Sequence, residues 1–275
     1  MSGTAARVSP LETPILLRET VGSIAVLTLN RPAARNSLSE AMIASLHAAL
    51  AEAADDATVR ALVIAARGPA FCAGHDLKEL TARRSDADGG RAYFAEIMSA
   101  CSAMMQAIVS LPKPVIAAIQ GVATAAGCQI VASCDLAIAS DAAGFATPGV
   151  DIGLFCSTPM VALSRNLSSK HAMEMLLTGD VFGAEDALRY GLVNRVVPAA
   201  QLTEVVTTLA AKIASKSMVT VRTGKQAFYR QRDLSLAEAY AYTARVMTEN
   251  LLKRDAEEGI AAFIAKREPN WTDEP

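Results

Sequence analysis

Short apolar strands that run into small-residue turns and then into helices constrain this chain more than any other feature. The clearest case is "VIAAIQGVATAAGCQIVASCD", residues 115–135. "VIAAI" has the length and unbroken apolar character of a buried strand, and Gln120-Gly121 turns the chain. Ala125-Ala126-Gly127-Cys128 then keeps side chains small where a helix begins. The same order recurs in "ALVIAA" (61–66), Arg67-Gly68 and "AFCAGHDLKEL" (70–80), a loop opening into a helix. "SIAVLTLNRP" (23–32), "LAIAS" (136–140) and "NRVV" (194–197) supply further strands. Strand and helix in alternation predict an α/β fold with several short buried strands. No fixed-period repeat accompanies the alternation.

Helices fill the intervals. Ser37 and Glu40 have the spacing of a capping box, and Met42, Leu46 and Leu50 follow on one helical face. Residues 81–92 are polar, with Asp86, Asp88, Gly89 and Gly90, and are expected to form a mobile surface segment ahead of a helix over 93–110. From Gln201 the texture is helical. Leu236, Tyr240, Ala244, Met247 and Leu251 fall three or four apart, an apolar face for packing on the core or on a second subunit. The expected division is a core over 14–199 and a C-terminal helical region over 200–275.

A chain of 275 residues, 52% hydrophobic, can bury a core without covalent staples. Its formal charge is −2 with no basic stripe, which argues against nucleic acid as a partner. Cys72, Cys101, Cys128, Cys134 and Cys156 are odd in number, lack CxxC spacing and sit in apolar surroundings, as buried thiols of a reducing compartment do. His47, His75 and His171 lie far apart, so no metal-ligand pattern arises and no metal is expected. "MSGTAARVSPLETP" lacks the apolar stretch of a signal peptide. No uncharged apolar window approaches the ~18 residues of a spanning helix, so membrane insertion is not expected. The expected location is cytoplasmic, or the mitochondrial matrix for a form with a trimmed transit peptide.

Two turns carry the chemistry: Ala73-Gly74-His75-Asp76 and Ala125-Ala126-Gly127-Cys128. Backbone N–H groups at a helix start have no intrahelical acceptor, and the helix dipole adds positive potential there. Two such amides converging on one point would hold a carbonyl oxygen as it becomes an oxyanion. Spacing alone favours another reading, in which both are close-packing strand-to-helix turns.

Several segments occur in a particular order: "NRPAARNSLSEAM", "GPAFCAGHDLKEL", "KPVIAAIQGVATAAGCQIVASCDLAIAS", "ATPGVDIGL", "HAMEMLLTGD", "ALRYGLVNRVVP" and "DAEEGIAAFIAKREP". Together, from about residue 14 to 271, they resemble the enoyl-CoA hydratase/isomerase (crotonase) superfamily. The resemblance implies a spiral of ββα units with a C-terminal helical trimerisation region, as a homotrimer or a hexamer. It implies an acyl-CoA substrate or ligand whose thioester carbonyl sits in an oxyanion hole made by the backbone amides of His75 and Ala126. It places Arg35 near the CoA phosphates and Ala73, Asp76 and Lys78 at the adenine end. Coenzyme A is then part of the substrate, and no separate cofactor is implied.

The chain departs from the hydratase pattern at both acid/base positions. Hydratases carry two glutamates that position and activate water; here those positions are Gln129 and Gly149. An amide orients water but does not titrate near pH 7, and glycine does neither. The expected function is therefore an acyl-CoA thioester-binding member of the family with weak hydratase activity. The alternatives are a non-catalytic acyl-CoA binder, or an isomerase, decarboxylase or thioesterase that uses Asp151 or the His75 imidazole. Asp151, two residues past Gly149, is a substitute carboxylate or a structural cap. Ser157 and Thr158 can bond a substrate or line its cavity, Cys128 and Cys156 have no histidine nearby in sequence, and Met104, Met105 and Phe155 suggest an apolar tail site.

Overall fold

The computed structural model describes residues 14–274. Ten strands are formed: β1 Leu16–Val21, β2 Ile24–Leu29, β3 Ala61–Ala66, β4 Ala70–Cys72, β5 Val115–Ile119, β6 Val122–Thr124, β7 Leu136–Ser140, β8 Gly144–Ala146, β9 Phe182–Gly183 and β10 Arg195–Val197. They make two sheets. The first has the order β1-β2-β3-β5-β7-β10 and the second β4-β6-β8-β9. All pairs are parallel except β1 with β2 and β8 with β9.

The helices are α1 Glu40–Asp55, α2 Leu77–Ala82, α3 Arg91–Ser110, α4 Ala126–Ser133, α5 Ser157–Leu163, α6 Ser169–Thr178, α7 Ala184–Tyr190, α8 Leu202–Ala214, α9 Met218–Gln231, α10 Leu236–Leu251 and α11 Arg254–Ile264. The chain steps from one sheet to the other and then into a helix: β3, β4, α2; β5, β6, α4; β7, β8, α5. This is the expected spiral of ββα units.

The central strands are apolar on both faces because both faces are covered. In β5, Ala117 and Ile119 face a core shared with Leu46 and Leu50 of α1 and Met104 and Ile108 of α3. Ile116 and Ala118 face a second core with Leu202, Val206 and Ala210 of α8. The helical texture expected from residue 200 therefore begins inside the sheet packing: α8 seals the sheet. The expected apolar face lies on α10, where Leu236 and Tyr240 are 77% and 71% exposed.

Two local expectations change. Ser39, not Ser37, caps α1 by accepting from the Met42 amide (3.2 Å), because the Ser37 hydroxyl is committed to Asp76 (3.1 Å). α3 is longer than expected, at 20 residues, and an 18-residue window of it reaches a mean hydropathy of 1.3. That is apolar enough to cross a membrane by composition, yet Ile97, Cys101, Met104, Met105 and Ile108 are buried in the protein core.

α9 is fixed to this framework by a half-buried polar cluster. Asp135 accepts from the Val115 amide (2.7 Å), the Lys225 ammonium (2.7 Å) and the Tyr229 hydroxyl (2.9 Å). Lys225 also donates to the Ile108 and Lys113 carbonyls (3.1 and 3.0 Å). With its charge met on several sides, the cluster avoids the cost of an uncompensated buried ion.

Candidate active site

The first turn leaves β4 at Cys72 and needs Gly74 at φ 84°, a left-handed conformation that glycine adopts freely. Residues 35–38 run alongside it. The Ala73 amide donates to the Arg35 carbonyl (3.1 Å), Leu38 to Gly74 (2.7 Å) and Asp76 to Leu38 (3.1 Å). These bonds bring Arg35, Ala73, Asp76 and Lys78 together, with Arg35 and Lys78 exposed and in no ion pair among the described residues.

Asp76 caps α2 by accepting from the Lys78 amide (3.2 Å), and it also takes hydrogen bonds from Arg31 (3.1 Å) and Ser37 (3.1 Å). Burial pulls its pKa up, but those bonds outweigh burial and the net shift is downward. The carboxylate expected at the adenine end is thus turned to Arg31, whose part the sequence reading missed.

The second turn is strained. Ala125 sits at φ 50° and ψ −115°, outside the ordinary regions for a residue with a Cβ. Such conformations cost about 1–3 kcal/mol and persist where surroundings over-determine them. Here the Ala125 amide is tied to the Ala146 carbonyl (2.9 Å), and the next residue, Ala126, opens α4. Gly127 lies so close to β4 that a Cβ on it would stand 2.1 Å from the Cys72 carbonyl oxygen.

The two turns touch. A Cβ on Gly74 would lie 3.0 Å from the Ala125 methyl and 3.5 Å from the Ala126 nitrogen. Neither the His75 nor the Ala126 amide donates a hydrogen bond among the described residues. Both nitrogens of the His75 ring are buried without a partner, and burial lowers the pKa so that the ring is neutral at pH 7.

Gln129 follows Ala126 by three residues, about one turn of α4. It is 5% exposed, its Oε1 has no hydrogen-bond partner, and it lines a cavity of about 660 Å³. Thr158 and Met105 line the same cavity, whereas Met104 is in the core and Phe155 is exposed elsewhere. The exposed Ser157 hydroxyl turns back to the Phe155 carbonyl (3.3 Å).

Gly149 is buried, and a Cβ there would meet the Leu154 carbonyl oxygen at 2.7 Å and the Cys156 sulfur at 2.9 Å. A side chain at Gly149 therefore has no room in this packing. The Asp151 carboxylate lies beside Gly179, at the end of α6, and the residue is exposed; like His75, Ala126 and Gly149, it does not line that cavity. Burial pushes the thiols of Cys72, Cys101 and Cys128 up to about 12 and raises those of Cys134 and Cys156, which disfavours the nucleophilic thiolate. Among the described residues no group of three or more His, Cys, Asp or Glu could hold a metal ion. The rest of the cavity wall, including Arg165, Asn166, Tyr229 and Arg232, was not legible in sequence, because those residues stand about 30 to 100 positions from Gln129 and form no motif.

A family profile described as enoyl-CoA hydratase/isomerase matches residues 19–274. The chain belongs to the enoyl-CoA hydratase/isomerase family. Among curated relatives, the human mitochondrial enoyl-CoA hydratase domain-containing protein 3 is 49% identical over 249 residues, covering 90% of this chain and 80% of the relative. The Xenopus laevis protein of the same name is 48% identical, covering 94% and 87%. Among solved structures, human enoyl coenzyme A hydratase domain-containing protein 3 matches at 47% identity and TM-score 0.89, over 94% of this chain and 100% of that one. An enoyl-CoA hydratase from Mycobacterium smegmatis matches at 48% and 0.89, over 94% and 99%. The segments "GVATAAGCQIVASCD" and "FATPGVDIGLFCSTP" point to the same domain-containing protein 3 subgroup. The names of both relatives carry "mitochondrial", which is consistent with the mitochondrial expectation and gives the cytoplasmic one no support.

Proposed function

We propose that this family member binds acyl-CoA thioesters and holds the thioester carbonyl between the backbone amides of His75 and Ala126. The observation that carries this reading is the pair of unpartnered amides on two touching turns, with the strained Ala125 aiming one of them. Preorganised donors of this kind stabilise negative charge on a carbonyl oxygen without reorganising. The exposed cations Arg35 and Lys78 suit the CoA phosphates. Isothermal calorimetry with acetyl-CoA and a longer acyl-CoA tests the reading. Saturable binding is expected, weakened up to about fivefold in Lys78→Ala, the range for an exposed charge contact. Absence of binding by any acyl-CoA up to millimolar concentration would remove the proposal.

The packing at Gly149, which leaves no room for a side chain, favours a second reading, a non-catalytic acyl-CoA binder. Both readings share the carbonyl site and differ in turnover. A catalytic form of the site would draw on the neutral His75 ring or on Asp151, whose carboxylate lies beside Gly179.

The protein is further proposed to act as a homotrimer or a dimer of trimers in the mitochondrial matrix. Leu236, Tyr240, Met247 and Leu251 are exposed on α10, and Phe263 and Ile264 are exposed on α11. Exposed apolar residues in this number suit a subunit interface; the stoichiometry comes from the family resemblance. Light scattering at micromolar concentration should report three or six times the chain mass, and a stable monomer would contradict it.

A further inference from the structure

The cavity beside Gln129 has a chemistry that an ordinary fatty acyl chain does not match. α4 runs along one wall. Ala126 begins it, Gln129 follows a turn later, and Ala132 lies about 9 Å along the axis from Ala126 at the helical rise per residue. At that far turn, Asn166 donates its side-chain amide to the Ala132 carbonyl (2.8 Å). Arg165, the preceding residue, lines the cavity and donates to the Val161 carbonyl (3.1 Å), and Arg232 just past α9 lines it too and donates to the Arg165 carbonyl; both arginines are exposed, at the cavity's open side. Neither arginine forms an ion pair among the described residues. Asp233 lines the cavity too, yet pairs with neither. Met105, Val109 and Val161 supply apolar wall.

We propose that this cavity takes an acyl chain whose far end carries a carboxylate, so that the preferred ligands are ω-carboxyacyl-CoA thioesters. The proposal rests on the acyl-CoA reading and adds the substrate class. With the carbonyl at the Ala126 amide, the chain passes Gln129 and ends beside Arg165 and Arg232. A guanidinium presents paired N–H donors that fit a carboxylate, and these two lack one. A methyl terminus would face cations and the Asn166 amide instead. The apolar wall suits the methylenes between, and the unpartnered Gln129 amide can bond a polar substituent on the way.

The test is calorimetry on the full chain with octanedioyl-CoA and octanoyl-CoA, which differ only in the terminal carboxylate. Octanedioyl-CoA should bind about threefold to fivefold tighter, the range for charge contacts to exposed side chains. The preference should shrink as ionic strength rises. Arg165→Gln with Arg232→Gln should remove it. Arg165→Glu, which leaves α9 untouched, should turn the preference toward octanoyl-CoA and keeps the proposal testable should the double variant misfold. Equal binding of the two thioesters, tighter binding of octanoyl-CoA, or a preference that survives both variants would overturn the proposal while leaving acyl-CoA binding intact. Failure of both thioesters to bind would instead overturn the acyl-CoA reading and this proposal with it.

Discussion

Crotonyl-CoA should be hydrated at least ~10³ more slowly by this protein than by a hydratase with both glutamates, since each positioned acid/base group contributes about 10²–10⁴. The two groups act on one water, so their losses do not multiply. Gln129 offers an amide that cannot titrate. Gly149 offers nothing, and the Leu154 carbonyl and Cys156 sulfur occupy the space a side chain would need. Asp151 lies beside Gly179 and is exposed. Steady-state hydration followed by loss of the enoyl thioester absorbance measures the rate. Gln129→Glu should raise it, because the new carboxyl is nearly isosteric and enters a cavity where burial lifts its pKa toward neutrality. Gly149→Glu should lower stability instead of adding rate. Brisk hydration by the wild type, unchanged in Gln129→Ala, would defeat the assignment of Gln129.

Gly127→Ala should destabilise the protein by at least ~3 kcal/mol, the upper range for forcing a methyl into a packed site. The added carbon would overlap the Cys72 carbonyl oxygen at 2.1 Å, so α4 must move off β4. That movement displaces the Ala126 amide from Gly74, and acyl-CoA binding should fall with stability. Gly224→Ala is the matched control. It lies within α9 with nothing within 4 Å of the new methyl, and should stabilise by up to ~1 kcal/mol through helix propensity alone. Thermal unfolding of the two variants decides the point. A Gly127→Ala protein as stable as the wild type would mean that the turns do not abut as described.

The sequence exposed the first sheet more fully than the second. β3 and β5 are largely buried and read as unbroken apolar runs of six and five residues, and β2 and β7 as nearly apolar runs broken only by Thr28 and Ser140. β4, β6, β8 and β9 have two or three residues each, too few for any periodicity to register. β1 is also quiet in sequence, since Leu16–Val21 is an edge strand with four exposed residues. The turn pair was visible because small residues cluster at both helix starts. Its geometry was not: the contact of Gly74 with Ala125 and Ala126 joins residues some 50 positions apart. Ser37 has the spacing of a cap, and only the fold shows Asp76 claiming its hydroxyl. Gly149 reads in sequence as a missing carboxylate and proves to be a packing requirement. Arg165 and Arg232 carried no signal, because helices distant in the chain assemble that wall.

A crystal structure with acetoacetyl-CoA bound tests the central claim most directly. The thioester oxygen should lie about 2.7–3.2 Å from both the His75 and the Ala126 nitrogens, the range of a formed hydrogen bond. The acyl chain should pass the Gln129 side chain with no carboxylate near its α- and β-carbons. A thioester oxygen held elsewhere, with those two amides still free, would contradict the account.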